Sequence, residues 1–443
     1  MRGLRSFLVL LVVAVGLVAY AYFVESKRTP DESEAREKVF TTEASAITRL
    51  DITASSGEET TLEKQDDAWR IVEPVRAGAD SPVVSGIASS LASLEVQRGV
   101  DDKPADYAQY GLAPPRMAIA FAGADGEQTR LEIGSKTPTG GDTYARLAGQ
   151  DRVFLIQGYL DSTFDRKTFD LRDKAVLKFT RSDVDSLALE NGSRTIRLEK
   201  SGADWRLNSP LDARAEYGTV EGVIGRIESG RMSAIAAEGA DLDLKAYALD
   251  TPAVTVTVGA GSASATLAIG KATDDGKVYA RDLSRPLVFT VDKALADEFD
   301  KSAADFRRQD AFEFRPFNAT RIEFVRGDRT DAFEKVTGEA GDTWRRTAPE
   351  AKDVESAKID ALLSAFSNLR AQSFVDSTRA TGLDRPLVVV SVRFGAGEDH
   401  QTEQVAFGRA GDEVYAAPQG EPGAAKLDAT AFENALKALD DIQ

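Results

Sequence analysis

No cysteine occurs among the 443 residues. That excludes disulfides, thiolate metal sites, a cysteine nucleophile and a lipid-modified N-terminal cysteine, while leaving the redox compartment open. Histidine is nearly as scarce, with His400 the only one. A single imidazole cannot build a histidine metal cluster or half of a Cys/His pair. His400 sits in the polar stretch Gly395–Gln401 and reads as a solvated loop residue. Basic residues are outnumbered, with 55 Lys and Arg against 72 Asp and Glu, for a net charge of −17. So acidic a surface repels nucleic acid and anionic headgroups, and no basic stripe offsets it, so nucleic acid is excluded as a partner. Long apolar runs are missing too, with one exception.

The exception is Phe7–Val24, eighteen residues without a charge. That is the lower end of the length needed to cross a bilayer. Arg2 and Arg5 precede it, and Glu25, Lys27 and Arg28 follow. The expectation is a single transmembrane helix within an anchor at 1–25, a single-pass inner-membrane location, a cytoplasmic N-terminus and an extracytoplasmic, periplasmic bulk. Ala19-Tyr20-Ala21 also resembles a signal-peptide cleavage site, the competing interpretation. Residues 26–39 are polar and highly charged and read as a spacer.

What is abundant is repetition. Tyr110-Gly111-Leu112, Pro115, Ile133-Gly134 and Tyr144-Ala145-Arg146 return as Tyr247-Ala248-Leu249, Pro252, Ile269-Gly270 and Tyr279-Ala280-Arg281. They return again as Thr381-Gly382-Leu383, Pro386, Phe407-Gly408 and Tyr415-Ala416-Ala417. Trp69, Trp205 and Trp344 follow at steps of 136 and 139. Marks that keep order and spacing define an internal repeat. Its copies are expected at 40–175, 176–314 and 315–443, each long enough for its own core.

Each copy opens with three short strands, the third carrying the tryptophan. A helix follows, with apolar residues Val84, Ile87, Leu91 and Leu94, then Tyr217, Val220, Ile224 and Ile227, then Ile359, Leu362, Phe366 and Leu369. Steps of three, four and three mark one helical face. Ser81-Pro82 reads as the first helix's cap and first residue. Paired runs of period two then flank the Gly-rich tips Gly123–Gly126, Gly259–Gly261 and Gly395–Gly397. About four strands close each copy. In the third the strand near Phe333 is less regular, Pro418, Pro422 and Gly423 weaken the last strand, and Phe432, Leu436 and Leu439 read as a closing helix. The expected fold class is α+β, three tandem repeats of mainly antiparallel sheet with one principal helix each, preceded by the transmembrane helix.

No catalytic, cofactor-binding or metal-ligating set emerges. Gly134–Gly141 lacks the Gly-Lys-Ser/Thr ending and the following helix of a phosphate loop, and reads as a turn. The acid pairs Asp66-Asp67, Asp101-Asp102, Asp241/Asp243 and Asp274-Asp275 follow no calcium-loop pattern and read as solvated turns. The tryptophans, equivalent in every copy, read as core.

In order and repetition these marks resemble a bacterial family known as domain of unknown function 4340. Members of that family are often encoded beside an ABC transporter of the type associated with gliding motility. The resemblance therefore implies an accessory whose partner is an inner-membrane protein complex containing ABC transporter subunits, tethered through Phe7–Val24. It carries over no catalytic residue and no cofactor. The functional expectation is a non-enzymatic, membrane-tethered, extracytoplasmic binding or scaffold protein. The alternatives are an envelope glycan-binding adhesin and a carboxylate-dependent cell-wall hydrolase.

Overall fold

The computed structural model describes residues 36–123, 126–338, 341–395 and 400–442. The chain separates into two compact units, Met1–Lys174 and Ala175–Gln443. The first holds one nine-stranded antiparallel sheet and the second holds two more.

In the first unit the strands are β1 (Ile47–Thr53), β2 (Glu59–Gln65), β3 (Ala68–Glu73), β4 (Ala77–Gly78), β5 (Arg98–Asp101), β6 (Met117–Gly123), β7 (Gln128–Lys136), β8 (Asp142–Leu147) and β9 (Val153–Gln157). Helix α1 (Ser81–Ala92) lies between β4 and β5, and α2 (Leu160–Phe164) and α3 (Thr168–Leu171) follow β9. The spatial order is β4-β3-β2-β1-β6-β7-β8-β9-β5. Two meanders thus meet at the β1–β6 pair, where Leu50 faces Phe121 and Ile52 faces Ile119.

In the second unit the next sheet uses β10 (Ser186–Asn191), β11 (Arg194–Ser201), β12 (Asp204–Ser209), β13 (Ala213–Arg214), β14 (Ala234–Glu238), β15 (Val254–Ala260), β16 (Ala263–Ala272), β17 (Lys277–Asp282) and β18 (Leu287–Asp292). Its helices are α4 (Tyr217–Ser229), α5 (Lys293–Asp297) and α6 (Ala303–Phe306). The last sheet uses β19 (Ala319–Arg326), β20 (Arg329–Gly338), β21 (Gly341–Ala348), β22 (Lys352–Val354), β23 (Ala371–Val375), β24 (Val388–Phe394), β25 (Gln401–Ala410), β26 (Glu413–Pro418) and β27 (Ala424–Leu427). Helix α7 (Ser356–Ser367) takes the place of α1, and α8 (Ala429–Asp440) closes the chain. Strand order is the same in all three sheets.

The core of each copy lies between one sheet face and its principal helix. Val84, Ile87, Ala88 and Leu91 line the buried side of α1. Val220, Val223, Ile224 and Ile227 do so in α4, and Ile359, Leu362, Leu363 and Phe366 in α7. Each Val, Leu, Ile or Phe among them, fully buried, contributes about 1.5–3 kcal/mol. Tyr217, expected on this face, opens α4 and is 51% exposed. The cap of α1 is Asp80, which accepts from the Val83 N–H at 3.2 Å, one residue ahead of the expected Ser81. Trp69, Trp205 and Trp344 are all buried, and Trp205 Nε1 donates to Glu221 of α4 at 3.0 Å.

One expectation on strands is revised. Each sheet has nine strands rather than about seven, because the short edge strands typified by β4 and β5 had no apolar alternation to betray them. The strand near Phe333, β20, runs ten residues but is irregular as expected: its register against β21 shifts between Ala332 and Phe333, and three consecutive buried residues break its period.

The membrane expectation is corrected as well. The segment Phe7–Val24 lies outside the described residues. Among the described residues no helix is long and apolar enough to cross a membrane. The longest α-helix among them is α4, with 13 residues. At about 1.5 Å per residue that is roughly 20 Å, short of a hydrocarbon core of about 30 Å. The preceding transmembrane helix, the single-pass topology and the inner-membrane location built on it therefore find no support in the structure.

Candidate functional site

The recurring marks meet where a loop crosses a strand. In the first copy a short 3-10 turn, Ala108–Tyr110, ends at Gly111 with φ 68°, and Leu112 follows, fully buried. Gly134 of β7 lies directly beneath. A Cβ there would meet the Tyr110 carbonyl oxygen at 2.1 Å. In the second copy a Cβ on Gly270 would meet the Tyr247 carbonyl at 2.2 Å, and in the third one on Gly408 would meet that of Thr381 at 2.6 Å. The glycine recurs because no side chain fits between strand and loop.

Beside this shared crossing the copies diverge. Tyr110 and Tyr144 pair at 5.1 Å between ring centroids, and Tyr247 and Tyr279 at 4.9 Å. The third copy has Thr381, and its Tyr415 hydroxyl instead donates to the Glu413 carboxylate, which also receives Lys426. These two donors hold the Glu413 carboxyl below its usual range, Lys426 having the larger effect.

The space next to the buried leucine differs most. In the first copy the Arg146 guanidinium lies 4.1 Å from the Tyr107 ring centroid and donates to Glu132 at 2.6 Å. The Tyr107 hydroxyl donates to the Asp151 carbonyl at 3.1 Å. In the second, Leu244 stands in the place of Tyr107 and Ala268 in that of Glu132, within an apolar cluster with Leu249 and Val288. In the third, the corresponding residues are Thr378, Ala406 and Ala417, the last two facing each other across β25 and β26. They leave a cleft of about 620 Å³, lined also by Arg379, Leu383 and Asp384. Leu112 and Leu249 are 0% and 5% exposed, whereas Leu383 is only half-buried.

A second feature joins the two sheets of the second unit. Arg214 at the end of β13 bonds Glu421, lies 3.3 Å from Glu313 and 3.9 Å from Glu403. Arg307, 3% exposed, reaches Glu421 at 3.6 Å and donates to the Pro422 carbonyl at 3.1 Å. Glu403 accepts from the backbone N–H groups of Glu313 and Phe314 at 2.8 and 2.9 Å. Burial pushes the Glu403 carboxyl up, and those two donors and Arg214 only partly offset it. Burial also disfavours the charge on Arg214, but Glu421 and Glu313 together more than compensate. A cleft of about 290 Å³ opens beside Arg214 and Glu421. With each charge engaged by others, this seam reads as structural.

The remaining residues singled out in the sequence are scattered. His400 is exposed. Asp66 and Asp67 occupy a turn with φ of 48° and 63°. Asp101 accepts weakly from Tyr110, Asp243 caps a 3-10 turn, and Asp275 accepts from Thr273. Among the described residues no group of three or more His, Cys, Asp or Glu is placed to hold a metal ion. Sequence reasoning missed Glu132, Tyr107 and Thr378. The one available signal was the loss of arginine at Ala417, whose cross-strand partner is not adjacent in sequence.

The fold and its crossings define a tandem of antiparallel sheet-and-helix repeats sharing one loop-over-glycine motif. The family described as "Domain of unknown function (DUF4340)" matches at residues 69–206 and 205–386. The chain belongs to that family, as its marks implied. Both matched segments begin at a tryptophan strand, Trp69 and Trp205. No curated protein matches the chain. Among solved structures, the crystal structure of a DNA polymerase sliding clamp from Pseudomonas aeruginosa with ligand aligns over 88% of this chain and 93% of its own, at 7% identity and a TM-score of 0.16. A likeness that slight carries no argument.

Proposed function

We propose that the chain is a non-enzymatic binding or scaffold protein that serves as an accessory to a larger assembly. The observation that supports this is the way the recurring residues are used. The glycines lie under carbonyl oxygens and the tryptophans pack beneath helices, so the recurring residues serve the fold. Beside each crossing the copies vary, from a stacked Tyr107–Arg146 pair to an open cleft. A shared frame with differing surfaces suits several distinct contacts acting together. The resemblance that names the family points to an assembly of ABC-transporter type.

Affinity capture of the full-length chain from detergent-solubilised cells tests the proposal. Recovery of transporter subunits in stoichiometric amounts is the expected outcome. Capture by purified peptidoglycan alone, or turnover of cell-wall glycan lost on changing one acid, would overturn it.

A further inference from the structure

We propose that the cleft in the third copy receives a tyrosine side chain presented by an extended segment of a partner protein. This rests on the binding-protein reading above and adds the chemistry of one contact.

The three copies show what this space accepts. In the first it holds a phenol ring from the loop, Tyr107, a guanidinium from the strand, Arg146, and a carbonyl acceptor for the phenol hydroxyl at Asp151. In the second the copy's own Leu244 packs there. In the third the space stays open at about 620 Å³, within the range of roughly 300–1,000 Å³ typical of ligand pockets.

The third copy has lost the ring and kept a cation. Arg379, on the loop, lines the cleft where the strand no longer supplies arginine. Leu383 and the methyls of Ala406 and Ala417 give an apolar surface for a ring. Asp384 offers an acceptor to a phenol hydroxyl, the part the Asp151 carbonyl plays in the first copy. A ring flanked by a guanidinium gains cation–π attraction, and tyrosine combines that apolar body with a polar tip. An incoming arginine would meet Arg379, and an aliphatic chain would gain nothing from Arg379 or Asp384. Thr378, Arg379 and Asp384 are exposed, so a partner reaches the cleft from solvent.

The full-length chain carrying ¹³C-methyl alanine provides the test, with acetyl-Gly-Tyr-Gly-amide as probe and the Leu and Lys analogues as controls. The Ala406 and Ala417 methyl signals are expected to shift with the tyrosine peptide, and binding of the leucine peptide to be weaker by about tenfold, equivalent to about 1.4 kcal/mol. Thr378→Tyr with Ala417→Arg rebuilds the first copy's filling and should abolish the response. Ala417→Leu, a smaller plug, should do so as well should the double variant fold poorly. Equal response to the leucine peptide, no shift at these two methyls, or undiminished binding to both plugged variants overturns the inference. Affinity capture with wild type and plugged variant side by side separates the two readings. A partner retained equally by both removes the cleft from recognition and leaves the binding-protein reading standing, whereas a partner retained by neither removes that reading itself.

Discussion

At the first crossing Gly134 lies under the Tyr110 carbonyl, and Tyr107, Arg146 and Glu132 close the space beside it. At the third, Gly408 keeps its place under Thr381, while Thr378, Ala417 and Ala406 leave that space open. The two halves of the motif answer to different constraints. Close approach of two backbones admits only glycine, so that half is held in every copy. The neighbouring space admits many fillings, polar, apolar or none, and is free to become a contact site.

The largest expected effect concerns the leucine at each crossing. Leu112→Ala should cost about 3–4 kcal/mol, since that side chain is 0% exposed. Leu383→Ala, half-buried beside the open cleft, should cost about 1 kcal/mol. Denaturant midpoints followed through Trp69 and Trp344 would measure both, and equal losses would mean that the third crossing is closed in solution. Next come the glycines. Gly134→Ala and Gly408→Ala should each cost about 2–3 kcal/mol, because either Cβ meets main-chain atoms that cannot swing aside. A tolerated Gly408→Ala would show that the third copy has relaxed its frame as well as its filling. Arg146→Ala should cost about 1 kcal/mol by removing the contact with Tyr107 and the bond to Glu132. Its mirror, Ala417→Arg, should stay within about 0.5 kcal/mol of wild type by the same measurement.

The smallest effect is a pH dependence confined to the third copy. Its Glu413 carboxyl is held below the ordinary value of 4.5 by Lys426 and the Tyr415 hydroxyl. A depressed carboxyl contributes stability above its unfolded pKa and loses it as pH falls through the folded one. Acid titration below pH 4.5 should therefore weaken the third copy through this group, and Glu413→Gln should remove that component of the slope. An unchanged slope in the variant would assign the acid sensitivity elsewhere.

The repeat, the principal helices and the buried tryptophans were legible because periodicity and spacing report them directly. The edge strands were not, since β4 has two residues and β5 has four, both without alternation. Nor was the reason for the recurring glycine, which depends on a carbonyl 24 positions away at Tyr110. The leucine, glycine and arginine marks located the crossing, yet Thr378 and Ala406 acquire meaning only when cross-strand register brings Ala406 opposite Ala417. The seam left no sequence signal, because Arg214 and Glu421 stand 207 residues apart and the first copy has Gly78 where Arg214 stands.

The central pairing of each sheet also sets a clock during synthesis. Leu50 of β1 waits for Phe121 of β6, Leu187 for Val258, and Ile322 for Val392. The waits are 71, 71 and 70 residues of chain, by subtraction of those positions. At roughly 5–20 residues per second each lasts roughly 4–14 s, during which a strand bound for the middle of a sheet has one edge unpaired. Every ribosome making this chain passes through that interval three times, and slowing elongation just after β1, β10 or β19 should increase co-translational aggregation more than a pause placed after β6, β15 or β24.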